Sequence, residues 1–128
     1  MEVRTVLHIH AYLVMIFYAG VNTKICVKPF HLDSWISMSL FYEGSYEAGE
    51  VSVILKALEK YPTAVFLDIG CNIGTYTLVM AAAGREVVGV DAMLDNLAYI
   101  HTSLAISNTS HLVKLLHNPV RCMLCIQI

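Results

Sequence analysis

The middle of the chain alternates short apolar runs with stretches of helical periodicity. The near-continuous apolar runs, which are typical of parallel strands buried on both faces, are 64–69, 86–90 and 112–116. The helical stretches between them are 75–83 and 94–106, and each is followed by a residue suited to a left-handed cap, Gly84 and Asn108. Strands that alternate with helices of this length predict a parallel, right-handed βαβαβ sheet.

A further helix is predicted upstream of this sheet. Apolar residues recur at Val51, Ile54, Leu55 and Leu58, the spacing of one helix face, and predict a helix over 50–61 that Pro62 ends. Before it, the β-prone runs 25–27 and 35–40 predict a small antiparallel pair of strands. The segment 41–49, which contains two glycines, is predicted to be a loop.

The N-terminal segment 1–23 is treated separately, because residues 5–23 contain no Asp, Glu, Lys or Arg. Nineteen uncharged residues are just long enough to cross a bilayer core, so a signal peptide or signal anchor is one interpretation. A buried strand or a poorly ordered extension is the other. The first predicts membrane association through 5–23 and a membrane or secretory location, and the second predicts a cytoplasmic protein. The domain itself is predicted to occupy 24–128.

Composition narrows the functional classes. The chain has 128 residues, of which 57% are hydrophobic and 14% charged, which excludes intrinsic disorder. Eight Lys and Arg stand against ten Asp and Glu without a basic run, so we expect no nucleic-acid partner. Of the four cysteines, Cys122 and Cys125 form a single CxxC without a second half, and no metal site is predicted. No oligomeric state is indicated.

Candidate chemistry lies where the first two parallel strands end. The first strand runs into the loop 68–74, Asp-Ile-Gly-Cys-Asn-Ile-Gly, and a helix follows at once. Open α/β sheets bind ligands at this position, and Gly70 and Gly74 allow a tight turn. The second strand ends in Asp91, where a carboxylate can accept hydrogen bonds from both hydroxyls of an adenosine ribose.

Two cofactors suit a site of this kind. A dinucleotide site needs G-x-G-x-x-G for its pyrophosphate, whereas this loop is G-x-x-x-G and carries Asp68, which would repel a pyrophosphate. S-adenosylmethionine carries an ammonium group and a sulfonium and no phosphate. Asp68 and Asp91 are therefore predicted to hold its two ends. An NAD-dependent oxidoreductase is the alternative.

The loop 68–78 resembles motif I of class I S-adenosylmethionine-dependent methyltransferases. Asn72, together with Tyr76 after the second glycine, resembles the FkbM-type branch. The segments 35–37, 43–47 and 50–51 are similar to the stretch that leads into this domain in animal members. The resemblance covers about 24–120, with the motif core at 62–118.

The resemblance implies a Rossmann-like, doubly wound, mostly parallel α/β sheet with a short N-terminal β extension. It implies transfer of a methyl group to a hydroxyl of a small molecule or glycan, and it identifies no catalytic base. Glu47 or Glu50 would close the pocket edge, Asp91 would hold the ribose, and Ala92 and Met93 would line the adenine. The residues expected around the methionine end are Asp68, Gly70, Asn72 and Gly74, with Cys71 filling the turn as a small residue.

Two departures from the family pattern bear on activity. Tyr46 and Ala92 stand where the family often has Trp and Pro. The sequence ends near the third or fourth core strand, which predicts a domain incomplete at its C-terminus. A truncated form without activity, or a non-catalytic or membrane-anchored fragment, is therefore the alternative to an active methyltransferase.

Overall fold

A computed structural model describes residues 9–118, which form two β-sheets and four α-helices. The elements in chain order are β1 Tyr12–Tyr18, β2 Val21–Val27, α1 Ile36–Glu43, α2 Ala48–Glu59, β3 Phe66–Ile69, α3 Thr75–Ala82, β4 Val87–Asp91, α4 Leu94–Ser107 and β5 Val113–His117. A short 3-10 turn, Ser110–Leu112, joins α4 to β5.

The parallel sheet has the order β3-β4-β5, as the alternating pattern predicts. The α/β class and the Rossmann-like connectivity are therefore confirmed. Gly84 and Asn108 adopt left-handed conformations, with φ of 81° and 57°, where the caps of α3 and α4 were expected. The register pairs Asp68 with Gly89 and Asp91 with His117, which brings the ends of all three strands to one edge of the sheet.

Helices α3 and α4 pack between the parallel sheet and the β1–β2 hairpin. Their buried apolar side chains, together with those of the hairpin, form the core, and the largest are Ile16, Ile25, Leu78, Met80 and Ile100. The hairpin is fastened to α4 by buried polar contacts. The Cys26 N–H donates to Ser103 Oγ over 2.8 Å, and Ser103 in turn donates to the Tyr99 carbonyl.

The hairpin occupies much of the uncharged N-terminal segment. Its turn, Ala19 and Gly20, has φ of 44° and 85°, the positive values of a two-residue turn that matches the strand twist. The strand interpretation therefore describes Tyr12–Tyr18. The expected boundary at residue 23 falls inside β2, because that strand is the second arm of the hairpin. Within residues 9–118, no helix combines the length and apolarity that a bilayer span needs.

The strand predicted at 35–40 is wrong, because Ile36–Glu43 is the helix α1. The Asp33 carboxylate accepts hydrogen bonds from the Ile36 N–H over 3.1 Å and from the Ser37 N–H over 3.0 Å. These bonds satisfy amides that a helix start leaves without partners, so Asp33 stabilises the helical conformation. Ser37 and Leu40, three residues apart, are the buried positions. The predicted loop 41–49 is shortened at both ends by α1 and α2.

The expectation that β3 is buried on both faces is also wrong. Leu67 and Ile69 are 56% and 59% exposed, whereas Phe66 and Asp68 on the opposite face are partly covered. Helices α3 and α4 both contact β2 as well as the sheet, so they lie on the same side of it. The described part of the chain covers one face of the parallel sheet. The C-terminal segment 121–128, for which the sequence allows one more strand, lies outside the described residues together with its CxxC.

The contact between α3 and α4 depends on Gly74, and Gly74→Ala tests it. Gly74 has φ of 94°, and a Cβ there would lie 2.7 Å from Ile100 Cγ1. We expect the free energy of unfolding to fall by about 2–4 kcal/mol, from left-handed strain and overpacking together. Urea denaturation followed by circular dichroism measures it. The control is Gly49→Ala, which meets nothing within 4 Å. Equal midpoints for the two variants would contradict this packing.

Candidate functional site

The glycine loop after β3 folds tightly against the end of β4. The N–H groups of Gly70 and Cys71 both donate to the Val90 carbonyl, over 2.8 Å and 3.1 Å. The Gly74 N–H donates to the Cys71 carbonyl over 2.8 Å, which closes the turn before α3 begins. Gly70 and Asn72 both have positive φ in this loop, a conformation that glycine adopts without a steric penalty. The loop therefore stands beside Asp91, as the order of the strands predicts.

Asp91 is only 7% exposed and is nearly saturated with hydrogen bonds. Its Oδ2 accepts from the Asn72 N–H over 2.8 Å. Its Oδ1 accepts from the Met93 N–H over 2.8 Å and from Asn96 Nδ2 over 3.1 Å. A carboxylate has about four acceptor positions, so one position remains, on Oδ2. On this count Asp91 can accept a further hydrogen bond, and its expected bonding to the ribose hydroxyls stays a prediction.

Asp68 is held by the first turn of α3. Its Oδ2 accepts from the Thr77 N–H over 3.1 Å and from Thr77 Oγ1 over 2.6 Å. Burial raises the pKa of Asp68 above its ordinary value, and the charge of Asp91 adds to this, while the two Thr77 hydrogen bonds oppose it. Asp68 is thus a carboxylate partly withdrawn from water, with a neighbour of the same charge.

A cavity of about 480 Å³ opens between this loop and the segment joining α1 to α2. It brings together five of the expected site residues, Glu47, Asp68, Gly70, Cys71 and Asn72. Its remaining lining is largely apolar or aromatic and includes Ile36, Ile54, Phe66 and Tyr76. None of the described residues lining it is Lys, Arg or His, so its charged groups are all carboxylates. Gly74, Asp91, Ala92 and Met93 are not part of the lining.

Glu47 faces the cavity from a constrained piece of backbone. Its φ is 51°, which is uncommon for a residue with a side chain. The preceding residue, Tyr46, is clamped by the buried Tyr18 hydroxyl, which accepts from the Tyr46 N–H over 2.6 Å and donates to its carbonyl over 2.9 Å. Tyr76 donates its hydroxyl hydrogen to Glu47 Oε2 over 2.6 Å. Burial and this carboxylate raise the pKa of Tyr76, so its hydroxyl stays protonated.

Cys71 has the surroundings of a packing residue. Its side chain is buried, and burial followed by the charges of Asp68 and Asp91 raises the pKa of Cys71 to about 12. A thiol of this kind is protonated at neutral pH and is a poor nucleophile. Gly89, which the sequence analysis missed, makes room for it, because a Cβ on Gly89 would lie 3.4 Å from Cys71 Sγ and 3.1 Å from Leu115 Cδ2.

Ala92 and Met93 follow Asp91 in the chain and do not line the cavity. The Met93 side chain is more than half exposed, while its N–H is fixed by Asp91. His117, at the end of β5, places Nε2 3.0 Å from the Ala92 carbonyl, and since a carbonyl only accepts, Nε2 donates. The sequence analysis assigned no site to His117. Its position at a strand end next to Asp91 was the signal available.

The residues present suit a cationic ligand better than a phosphate. Two carboxylates without a basic partner attract an ammonium or sulfonium group and repel a pyrophosphate. Gly70 leaves open space where a Cβ would be, which allows a ligand to approach the backbone closely. Among residues 9–118, no group of three or more His, Cys, Asp or Glu side chains is placed to hold a metal ion.

Two of the known proteins similar to this chain are methyltransferases by name. No family model matches the sequence. Over 41 residues it is 49% identical to the 23S rRNA (uracil(1939)-C(5))-methyltransferase RlmD of Bordetella avium (strain 197N), covering 32% of this chain and 9% of that protein. A crystal structure from Klebsiella pneumoniae, assigned as an O-methyltransferase, matches with a TM-score of 0.51 at 18% identity, covering 59% of this chain and 36% of the other. The structure of EvdMO1 gives 0.48 at 24% identity, covering 64% and 20%.

The likeness to the Klebsiella structure concerns the fold, and the likeness to RlmD concerns one stretch of 41 residues. The Klebsiella structure shows that the chain shares its α/β fold with a protein of that assignment. The chain spans about a tenth of the length of RlmD and about a third of the Klebsiella chain. The activity and acceptor of a whole enzyme therefore belong to the proposals below.

The buried charge of Asp68 should cost stability, and Asp68→Asn tests this. The pKa of Asp68 is raised in the folded state. The contribution of Asp68 to the free energy of unfolding is therefore fully present below about pH 4, the ordinary Asp pKa, and it is lost as pH rises through the raised pKa. The amide oxygen of Asn can still accept both Thr77 hydrogen bonds. At pH 7 without ligand we expect the Asn variant to melt at the same temperature or a few degrees higher, with the difference shrinking toward pH 4.

Thermal unfolding followed by circular dichroism from pH 4 to pH 8 makes the comparison. The matched control is Glu59→Gln, an exposed carboxylate on α2 that should leave the midpoint unchanged. An Asn variant that melts several degrees below the parent protein at pH 7 would show that the Asp68 charge stabilises the fold.

Proposed function

We propose that this chain binds S-adenosylmethionine and serves a methyltransferase of the FkbM type, acting on hydroxyl oxygens. The observation that carries the proposal is the cavity at the carboxyl end of β3, whose charged groups are Glu47 and Asp68 and whose floor is the loop from Gly70 to Asn72. Ligands of open α/β sheets bind at this edge. Its carboxylates match a cofactor that is cationic at the methionine end.

The proposal assigns most of the expected site residues a contact with the cofactor. The carboxylates of Asp68 and Glu47 offset positive charge at the methionine end, and Gly70 and Asn72 offer backbone close to it. Asp91 accepts a ribose hydroxyl at the open position on Oδ2. The exposed Met93 side chain covers one face of the adenine, next to Ala92. When bound, the cofactor supplies the electrophilic methyl group, and this chain's residues bind and orient it.

The proposed acceptor is a hydroxyl group on a small molecule or glycan. Support for it is the resemblance of the motif loop to the FkbM branch and the apolar wall of the cavity, formed by Ile36, Ile54 and Phe66. The name of the Bordetella relative gives an rRNA uracil as that protein's target. The sequence-based exclusion of nucleic acid therefore stays a prediction without support from this comparison.

Two alternatives from other classes remain distinguishable. An NAD-dependent oxidoreductase would have to place a pyrophosphate against Asp68, and repulsion of like charges disfavours this. A non-catalytic chain would bind the cofactor or a partner without transferring a methyl group.

Association with a membrane through residues 5–23 is a separate proposal, which a flotation assay with lipid vesicles would test.

Cofactor choice is tested by thermal unfolding of the 128-residue chain with S-adenosylhomocysteine or NADH. We expect S-adenosylhomocysteine at a hundredfold excess over its Kd to add about 2.7 kcal/mol to the free energy of unfolding, a rise in Tm of roughly 10 °C. NADH should give little change. Asp68→Asn should reduce the response, whereas Glu59→Gln should keep it. A larger response to NADH would overturn the proposal.

Methyl transfer is tested with S-adenosylmethionine carrying a radioactive methyl group. We expect label to pass to hydroxylated small molecules or glycans, and less than a tenth as much to RNA. Heat-denatured protein is the control for non-enzymatic transfer. Transfer to RNA alone would overturn the hydroxyl assignment, and cofactor binding without transfer to any of these classes would favour the non-catalytic alternative.

A further inference from the structure

A buried polar chain runs from the hairpin to Asp91. Lys28, the residue after β2, is 8% exposed although lysine is rarely buried. Its Nζ donates to Asn96 Oδ1 over 2.7 Å and lies 3.1 Å from Asp95 Oδ2. It also stands 5.4 Å from the centre of the Tyr99 ring, within the range of a cation–π contact. Every partner of this ammonium group belongs to α4, whose first turn borders Asp91.

Lys28 and Asp91 together determine which way the Asn96 amide points. An ammonium group has only donors, so the amide must turn its oxygen toward Lys28. The Asn96 Nδ2 group is then directed at Asp91 Oδ1, 3.1 Å away. In the opposite orientation the amide oxygen would face the carboxylate, and both groups would be acceptors. The contact with Lys28 therefore defines the positions of the amide oxygen and nitrogen, which could otherwise be exchanged by a flip of the side chain.

The orientation of Asn96 in turn determines where Asp91 can accept another hydrogen bond. Asn96 Nδ2 and the Met93 N–H together fill Oδ1, and the Asn72 N–H takes one position on Oδ2. The open position is therefore on Oδ2. Without the Asn96 bond, only the Met93 and Asn72 N–H groups would hold the carboxylate, and its plane would be less tightly defined.

We infer that Lys28 is a positioning residue that, through Asn96, orients the Asp91 carboxylate for a single hydrogen bond to a ribose hydroxyl of the cofactor. The inference rests on the proposed function, because it takes Asp91 as the ribose acceptor. It adds a residue from the N-terminal hairpin, 63 positions before Asp91 in the chain, to the determinants of cofactor recognition. The role concerns recognition of the ribose and leaves the methionine end to other residues.

The fold has other fastenings between the hairpin and α4, so Lys28 can be replaced without removing all of them. The Cys26 N–H bond to Ser103 is buried, and Thr23 Oγ1 contacts Ser107 Oγ over 3.2 Å. Lys28→Met keeps the length of an apolar stem and removes the ammonium donor. The matched control is Lys24→Met, which changes an exposed lysine on β2, the strand that Lys28 follows.

The experiment measures, by calorimetry on the full chain, the Kd of S-adenosylhomocysteine and of its 2′,3′-dideoxy analogue. The ratio of the two constants is independent of the fraction of protein that is folded, since unfolding weakens both equally. We expect the parent protein and Lys24→Met to prefer the hydroxylated ligand by about 10- to 100-fold, the range for a hydrogen bond to a charged group. In Lys28→Met we expect the ratio of the two Kd values to fall below about threefold. The Kd of the dideoxy analogue, corrected for the fraction of folded protein, should change less than twofold.

Asn96→Ala provides a second route if Lys28→Met does not fold, because it removes the same link at its other end. Its ratio should fall to a similar value, and the double variant should be no worse than either single one, since both act through one bond. An unchanged ratio in Lys28→Met would overturn the inference, and if that variant does not fold, an unchanged ratio in Asn96→Ala would do so. The inference would also be overturned if the reductions of the ratio in the two single variants multiplied in the double variant. A parent protein that binds both ligands equally would overturn it while preserving the proposed cofactor. A parent protein that does not bind S-adenosylhomocysteine would overturn the proposed function itself.

Discussion

The site depends on the hydrogen bonds that one buried carboxylate, Asp91, accepts. A charge withdrawn from water is costly unless hydrogen bonds replace its hydration, and Asp91 accepts three such bonds, two from loop N–H groups and one from the Asn96 side chain on α4. The Asn72 N–H ties down the glycine loop after β3, and the Met93 N–H ties down the entry to α4. A single group at the end of β4 therefore holds both loops in place.

Close packing around glycine supplies the second constraint. Gly74 lets α3 start against Ile100 of α4, and Gly89 lets Cys71 and Thr77 approach β4. Thr77 is the residue that anchors Asp68, so the packing of α3 on the sheet also places the acid of the cavity. Fold and site therefore share their contacts. Asp68 itself is raised in pKa by burial, and a group that destabilises the fold while facing a cavity is typical of a residue retained for binding.

Local patterns were enough to predict the parallel sheet, α2, α3 and α4, because each element repeats its apolar residues at its own period. They failed for α1, where the β-prone composition of 35–40 was outweighed by the Asp33 bonds at the helix start. They failed also for β3, whose apolar run indicated two covered faces. Whether Leu67 and Ile69 are covered depends on what packs on that face, and a run of apolar letters carries no information about that.

The sequence by itself determined the order of strands and helices from α2 to β5 and the loop chemistry from Asp68 to Gly74, since these depend on residues close together in the chain. It also determined that Asp91 would stand beside that loop, because parallel strands end at one edge. The tertiary structure alone decided that Asp91 keeps one open acceptor position, and that Lys28 and Asn96, 68 residues apart, orient it. Hydrogen-bond saturation is a property of three-dimensional neighbours, and those neighbours come from distant segments that only the packing of the hairpin on α4 brings together.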